Sequence, residues 1–406
     1  MHIDEIKRQG AATLTYFAEQ ETPLRERPQR GHIEAFAKGH EQARIQLRGR
    51  NEGRPIHTLL PIQSGLGLNL LPEPSPGDLF FDIESDPFVA GGGLEYLLGL
   101  AFVGEGGHTE YRAWWALDRG TERRTFEEFI DFVMDRWARF PRAYIYHFSP
   151  YEPAAIKRLM SRHGTREAQV DRLLRAMRFI DLFAVVRQGI RASVESYSLK
   201  ELERFYGFRR QADLRDAAAA LRRVASALEL SVPAEITEAD RATVETYNKE
   251  DCLSTSALRH WLEAARAEAA LTSTDLVRPE ERDGNASDAI AERAEEVQAV
   301  FDRLVTGLPE DRAAWGPIER GRWLLAHQLE YFRREDRCAW WEFFRLHELD
   351  TEALLEERKA IAGIEFEREA GGTARCPIHR YRYPMQEVGL AVGDKLHEAG
   401  GDGWEP

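Results

Sequence analysis

Two carboxylates spaced two residues apart at the end of an apolar run are the first residues here that could do chemistry. Residues 79–88 read LFFDIESDPF. In an extended chain Phe80, Asp82 and Glu84 share one face, and Leu79, Phe81 and Ile83 share the other. A buried carboxylate without a partner is costly, and two side by side raise each other's pKa. A hard divalent cation such as Mg²⁺ or Mn²⁺ removes that repulsion. The bland alternative is an exposed strand end. Asp86 precedes Pro87 and reads as a turn residue, with a place beside a metal as the other reading.

Two more acids stand where an apolar or neutral residue would be ordinary. In ADRATVETYNKEDCLSTSALRHWLEAA (239–265), Val244, Tyr247, Asp251, Leu258, Trp261 and Ala265 recur at three- and four-residue steps. That is one stripe of an amphipathic helix. Asp251 occupies a core position in it, with Tyr247 one turn earlier on the same face. A salt bridge or a metal explains such a carboxylate. In YIYHFSPYEPAAIKRL (144–159), Glu152 precedes Pro153 at a helix start, where unpaired N–H groups and the dipole favour an anion. Glu152 is either a cap-region acid or a third source of ligands.

Together these segments resemble the DEDD-type 3′–5′ exonucleases of the ribonuclease H-like superfamily, in the tyrosine variant. The family pattern is D-x-E on a first strand, an acid after a later strand, and Y-x-x-x-D on a final helix. Here these are Asp82-Ile83-Glu84, HFSPYE ending in Glu152, and Tyr247 with Asp251. The middle motif of the family usually reads H-N-x-x-F-D. His147 and Tyr151 match it loosely, Phe148 replaces the Asn and Glu152 replaces the Asp. FIDLFAVV with Asp181, and SVESYSLKELERFYGF, also look like the family. The resemblance covers residues 78–266 and is closest to the YprB-type branch.

The resemblance implies a mixed α/β sheet flanked by helices. It also implies two Mg²⁺ or Mn²⁺ ions about 4 Å apart on the scissile phosphate of single-stranded DNA or RNA. In that scheme Asp82 bridges both ions, and Glu84 and Asp251 hold the one that acidifies the attacking water. Glu152 helps hold the second. Tyr247 orients the water, since a phenol is a poor base at neutral pH. Lys200, Arg187 and Arg191 are either phosphate contacts or surface residues. The flanks look like parts of larger RecB-like nuclease–helicase proteins, which implies a helicase partner. No G-x-x-x-x-G-K-[ST] occurs, since AVGDKLHE fails that pattern, so no ATP hydrolysis is expected.

The elements that must position these residues follow from the local pattern. DLFFDIE, LEYLLGLAFV and EYRAWWAL are three strand-like runs separated by turns. A helix follows in TFEEFIDFVMDRWARF, with Thr125 and Glu128 in a capping arrangement. RAYIYHF is a fourth strand, and YEPAAIKRLMSRHG a helix stopped by Gly164. This order predicts a mixed rather than all-parallel sheet. The expected division is a helical N-terminal segment with a Gly- and Pro-rich linker (1–77), the nuclease-like domain (78–266) and a polar linker (267–285). A mostly helical region ending in short strands (286–406) completes it, with an aromatic cluster at CAWWEFF (338–344). Arg44, Arg48 and Arg50 form either a solvated face or a phosphate-facing patch.

The whole chain bounds these readings. Its 406 residues are 43% hydrophobic and 31% charged, an ordinary globular composition with room for two or three domains. The net charge of −14 argues against a sequence-independent nucleic-acid coat protein but not against a metal-screened site. Three dispersed cysteines point to a reduced, cytoplasmic setting. Neither a signal peptide nor a membrane span is expected.

Three rivals have different chemistry. FFDIESD is similar to the start of haloacid-dehalogenase-type phosphatases, but its third position is Glu and no Lys with an Asp-Asp pair follows. A decayed ribonuclease H-like module that only binds nucleic acid or scaffolds a complex would explain Glu152 and the missing Asn. Zinc at Cys376 and His379 lacks a second ligand pair.

Overall fold

Alternation along one strand sets the layers of this protein. Strand β2 (Leu79–Asp86) sends Leu79, Phe81 and Ile83 into one hydrophobic core and Phe80 into another, as its period of two requires. Each such buried side chain is worth about 1.5–3 kcal/mol. The computed structural model describes residues 2–26, 28, 33–285, 288–309, 311–333, 343, 346–347, 349, 351–355, 357–373 and 376–396.

The chain packs as two units, Arg48–Ser287 and Met1–Leu47 together with Asp288–Pro406. Helices α1 (His2–Arg8), α2 (Leu14–Glu19) and α3 (Ile33–Glu52) come first, followed by a short strand β1 (His57–Leu59). The main sheet has the order β4-β3-β2-β5-β6. Its other strands are β3 (Leu94–Val103), β4 (Thr109–Trp115), β5 (Ile145–His147) and β6 (Phe179–Asp181). β2 runs antiparallel to β3 and parallel to β5. β3 and β4 are antiparallel, and β5 and β6 are parallel. The expected mixed sheet is therefore present. The fourth strand is shorter than RAYIYHF suggested: the Tyr144 carbonyl still accepts from the Leu79 N–H at 2.9 Å, but the Tyr144 N–H donates to the Asp78 carboxylate at 3.1 Å instead of to a strand.

Helices cover both faces. On one lie α4 (Arg119–Arg139), α5 (Tyr151–His163) and α6 (Glu167–Arg175). On the other lie α7 (Leu182–Gly189), α8 (Leu199–Tyr206) and the 33-residue α10 (Glu238–Ala270). Strand β7 (Ile190–Ala192) pairs with β1, placing Arg191 opposite Thr58. Helix α9 (Leu214–Glu229) packs with Tyr96, Leu97 and Val244. Strand β3, covered on both sides, is apolar along nearly its whole length, as a central strand must be. The stretch 51–77 is packed chain rather than a loose connection, since Leu68 and Leu71 are fully buried.

Helix starts follow their caps. α10 opens with a capping box in which the Thr237 hydroxyl accepts from the Asp240 N–H at 3.1 Å. α4 begins seven residues earlier than the Thr125 cap predicted. Asp118 is its N-cap, accepting from the Thr121 N–H at 2.8 Å. Thr125 is inside the helix and buried, donating to the Trp115 carbonyl at 3.0 Å. α5 ends where expected, on Gly164 at φ 55.

In the second unit, α11 (Asp288–Val305), α12 (Pro317–Gln328) and α13 (Thr351–Leu355) precede an antiparallel pair, β8 (Glu365–Thr373) and β9 (Cys376–Arg382). Cys376 and His379 lie three apart on β9 and so on opposite faces, which, like the missing second ligand pair, counts against zinc there. The aromatic run 338–344 lies outside the described residues except for Phe343.

Candidate metal centre

The acid site forms where α10 crosses β2 and β3. Single carboxylate oxygens of Asp82, Glu84 and Asp251 all lie within 4.8 Å of one another. Sheet register explains the approach. Asp82 faces Gly99 on β3, and a Cβ at Gly99 would come 1.7 Å from Asn248 Oδ1. The missing side chain lets α10 settle on the sheet, with Asn248 donating from Nδ2 to Asp82 Oδ2 at 2.7 Å.

This cluster is under electrostatic stress. Burial, then Asp251, Glu84 and Glu152, push the Asp82 carboxyl well above its ordinary range. Burial and then Asp251 push Glu84 up to about 8, although hydrogen bonding from Asn248 and the charge of Lys200 oppose the rise. Burial raises Asp251 too, against the pull of Arg210. Three acids that resist ionisation together, with oxygen-only donors, suit a hard divalent cation.

Glu152 stands outside the group of three. It is 4% exposed near the start of α5, and its charge still raises Asp82. Its Oε2 is buried without a hydrogen-bond partner and lies 3.4 Å from His147 Nδ1. That ring nitrogen is only 2.6 Å from the Ser149 carbonyl, so it must donate there. Burial disfavours charge on His147, but Glu152 and Asp181 outweigh it and raise its pKa. The turn is held in a strained shape, with Ser149 at φ 125. The Ser149 N–H donates to Asp181 at 3.0 Å, and the Tyr151 N–H donates to the Ser149 hydroxyl at 3.1 Å. Asp86 accepts from the Phe88 N–H at 2.8 Å, a turn contact as expected.

Tyr247 lies on the same side of α10 as Asp251. Exposed Lys200 donates to its hydroxyl at 2.5 Å, with the ammonium 4.7 Å from the ring centre. Burial and then Asp251 and Glu84 raise the phenol, so it stays protonated. Lys200 therefore sits at the site, whereas Arg187 lies over the Phe183 ring at 5.9 Å. Arg44, Arg48 and Arg50 are engaged by Ala18 and Gln20 carbonyls, Glu52 and Glu195.

Sequence reasoning missed Arg210, Glu203 and Asn248. Arg210 Nη2 lies 2.5 Å from Asp251 Oδ1 and 2.6 Å from Glu203 Oε1, with its side chain 7% exposed. Only the arginine-after-glycine end of ERFYGFRR hinted at it, and no local spacing links it to Asp251.

Residues 79–263 match a model of the RNase_H superfamily, RNase_H_2. No curated protein and no solved structure matches the chain. The RNase H-like match agrees with the mixed sheet and points to a nucleic-acid-cleaving hydrolase that uses divalent metal. Asp82 and Glu84 lie just inside its first strand and Asp251 on its last helix. Among the described residues no helix is long and apolar enough to cross a membrane.

The stress on the acids has a measurable sign. An acid whose folded pKa exceeds its unfolded value binds more protons when folded. Without metal, stability should therefore fall as pH rises from the ordinary 4.5 of Glu84 to about 8. Melting temperatures taken in chelator across that window should decline, and saturating Mn²⁺ should flatten the decline. A metal-free melting temperature that climbs across the window would contradict the electrostatics described.

Proposed function

We propose that the RNase H-like domain is a metal-dependent 3′–5′ exonuclease acting on single-stranded nucleic acid. The observation that carries this reading is the convergence of Asp82, Glu84 and Asp251 within 4.8 Å, beside a protonated Tyr247. Asp82, Glu84 and Asp251 would hold a divalent ion, with Glu152 contributing Oε2, which lies 3.4 Å from His147 Nδ1, to a second. Bound there, such ions supply a Lewis acid for the phosphate and a water of lowered pKa.

The chain's own groups do the rest. Tyr247 keeps its proton, so it orients the attacking water by hydrogen bonding rather than removing its proton. Lys200 fixes the Tyr247 hydroxyl and places one positive charge at the mouth of an acidic site, which suits an anionic strand. Arg210 holds Asp251 in place, and Asn248 holds Asp82.

The deciding assay uses 5′- and 3′-end-labelled single-stranded DNA and RNA with Mg²⁺ or Mn²⁺. Stepwise loss of mononucleotides from the 3′ end is expected. Internal cuts, or no cleavage of either polymer with either metal, would overturn the reading. A helicase partner and a cytoplasmic setting belong to the same proposal and rest on the sequence alone.

Glu152 tests the second half of the site. Its carboxylate is already placed for a side chain one methylene longer than Asp. Glu152→Asp would draw it back by roughly one bond length, more than a metal site tolerates. Activity should fall sharply for Glu152→Asp and for Glu152→Gln, measured as rate against Mn²⁺ concentration. If Glu152 were only a helix-start acid, Asp would serve at least as well, and full activity in Glu152→Gln would exclude it as a ligand.

A further inference from the structure

Asn248 is a fully buried amide in the wall of the acid site. An apolar side chain would fill the same volume without needing partners, whereas an amide so placed must find both a donor and an acceptor. It finds them. Nδ2 donates to Asp82 Oδ2 at 2.7 Å, and Oδ1 accepts from the Tyr111 hydroxyl at 2.8 Å. The Cys252 thiol lies 3.9 Å from the same Oδ1.

Chemistry fixes which end is which. Once a metal has displaced its proton the Asp82 carboxylate only accepts, so in that state the NH₂ must face it. The phenol can donate, and burial keeps it protonated, so it belongs against Oδ1. Were Tyr111 absent, only the weak Cys252 thiol donor at 3.9 Å would hold that side, and a flip would set the amide oxygen against an Asp82 oxygen. The sheet is cut to fit this arrangement. Gly99 stands between Asp82 and Ala113, and Ala101 between Phe80 and Tyr111. Any side chain at 99 would collide with Asn248.

We propose that Asn248 is a positioning residue for the metal site, and that Tyr111 acts through it. Asn248 ties down one oxygen of Asp82 and leaves the other without that tie. A carboxylate already oriented loses less freedom when it takes a metal, and supporting partners of this kind are typically worth roughly 10–100-fold in metal affinity. The inference rests on the metal-nuclease reading above.

The test is calorimetric titration of Mn²⁺ into the metal-free full chain. Wild type, Asn248→Ala, Tyr111→Phe and the double variant are compared, each first shown by circular dichroism to be folded. Asn248→Ala should bind Mn²⁺ roughly 10–100-fold more weakly. Tyr111→Phe should weaken binding less, and should add nothing in the Asn248→Ala background. A merely structural role predicts lower melting temperatures with unchanged Mn²⁺ affinity, or losses that add; either result would overturn the proposal. Should Asn248→Ala fail to fold, Tyr111→Phe decides alone, because it removes one hydroxyl and keeps the ring. Unchanged affinity in Tyr111→Phe then overturns the positioning role. Wild-type protein that binds no Mn²⁺ would sink the metal-site reading itself, which separates the two failures.

Discussion

Asp82→Ala should abolish nuclease activity while the protein still folds. Asp82 interacts with every other acid of the site, since Asp251, Glu84 and Glu152 all raise its pKa. Losing a ligand that anchors a catalytic metal removes several kcal/mol of transition-state stabilisation, roughly a thousandfold or more in rate. Two opposing effects act on the metal-free fold. Deleting the carboxylate relieves repulsion on Glu84. It also strands the buried Asn248 Nδ2, which costs about 1–3 kcal/mol. The variant should therefore melt close to wild type without metal and lose the gain that Mn²⁺ gives wild type. Digestion of single strands at the wild-type rate by Asp82→Ala would show that the cluster is not the active site.

Arg210→Met should produce the largest loss of stability. Arg210 bridges Asp251 and Glu203, and its side chain is 7% exposed. Removing it takes the shared cation from two largely buried carboxylates and leaves Glu203 only the Ser254 hydroxyl and Asp251 the charge of Lys200, and breaking such a pair typically costs about 3–5 kcal/mol. Because Asp251 belongs to the acid group, a bound cation should replace part of what is lost. Mn²⁺ should then stabilise Arg210→Met by more than it stabilises wild type. Denaturant unfolding with and without Mn²⁺ measures both quantities. A metal-free loss below about 1 kcal/mol would mean that water compensates these acids.

The two changes also show what could be read from the chain alone. The faces of β2 were legible because strand periodicity is local, and Asp251 was legible because a carboxylate interrupted an apolar stripe. Glu152 was legible at a helix start because Pro153 marks one. Arg210 was not. It follows α8 and the left-handed Gly207, and only the packing of α8 against α10 brings it to Asp251. Asn248 was also hidden, since a single Asn in a polar stretch of helix carries no period. Its role depends on the empty space at Gly99 on a strand far away in sequence. The start of α4 was misplaced because two capping patterns overlap there. The end of β4 selects Asp118, and Thr125 is drawn inside by its bond to the Trp115 carbonyl.

The Ser149 turn is a further case. HFSPYE suggested an acid at a helix start, but not a serine at φ 125 held by Asp181 and His147. Those partners come from the ends of neighbouring parallel strands, where α/β folds gather their functional groups. The sequence named Asp181 as part of a family-like segment without assigning it this structural task.

The proposed nuclease activity requires that Asp82, Glu84 and Asp251 form a divalent-metal site. Calorimetric titration of Mn²⁺ into metal-free protein near neutral pH, repeated in buffers of different ionisation enthalpy, tests it directly. Glu84 is pushed up to about 8 and Asp82 is raised as well, so the metal must displace protons on entering. Saturable binding accompanied by proton release, lost in Asp82→Ala, is the predicted result. No saturable binding, or the same binding in Asp82→Ala, would contradict it.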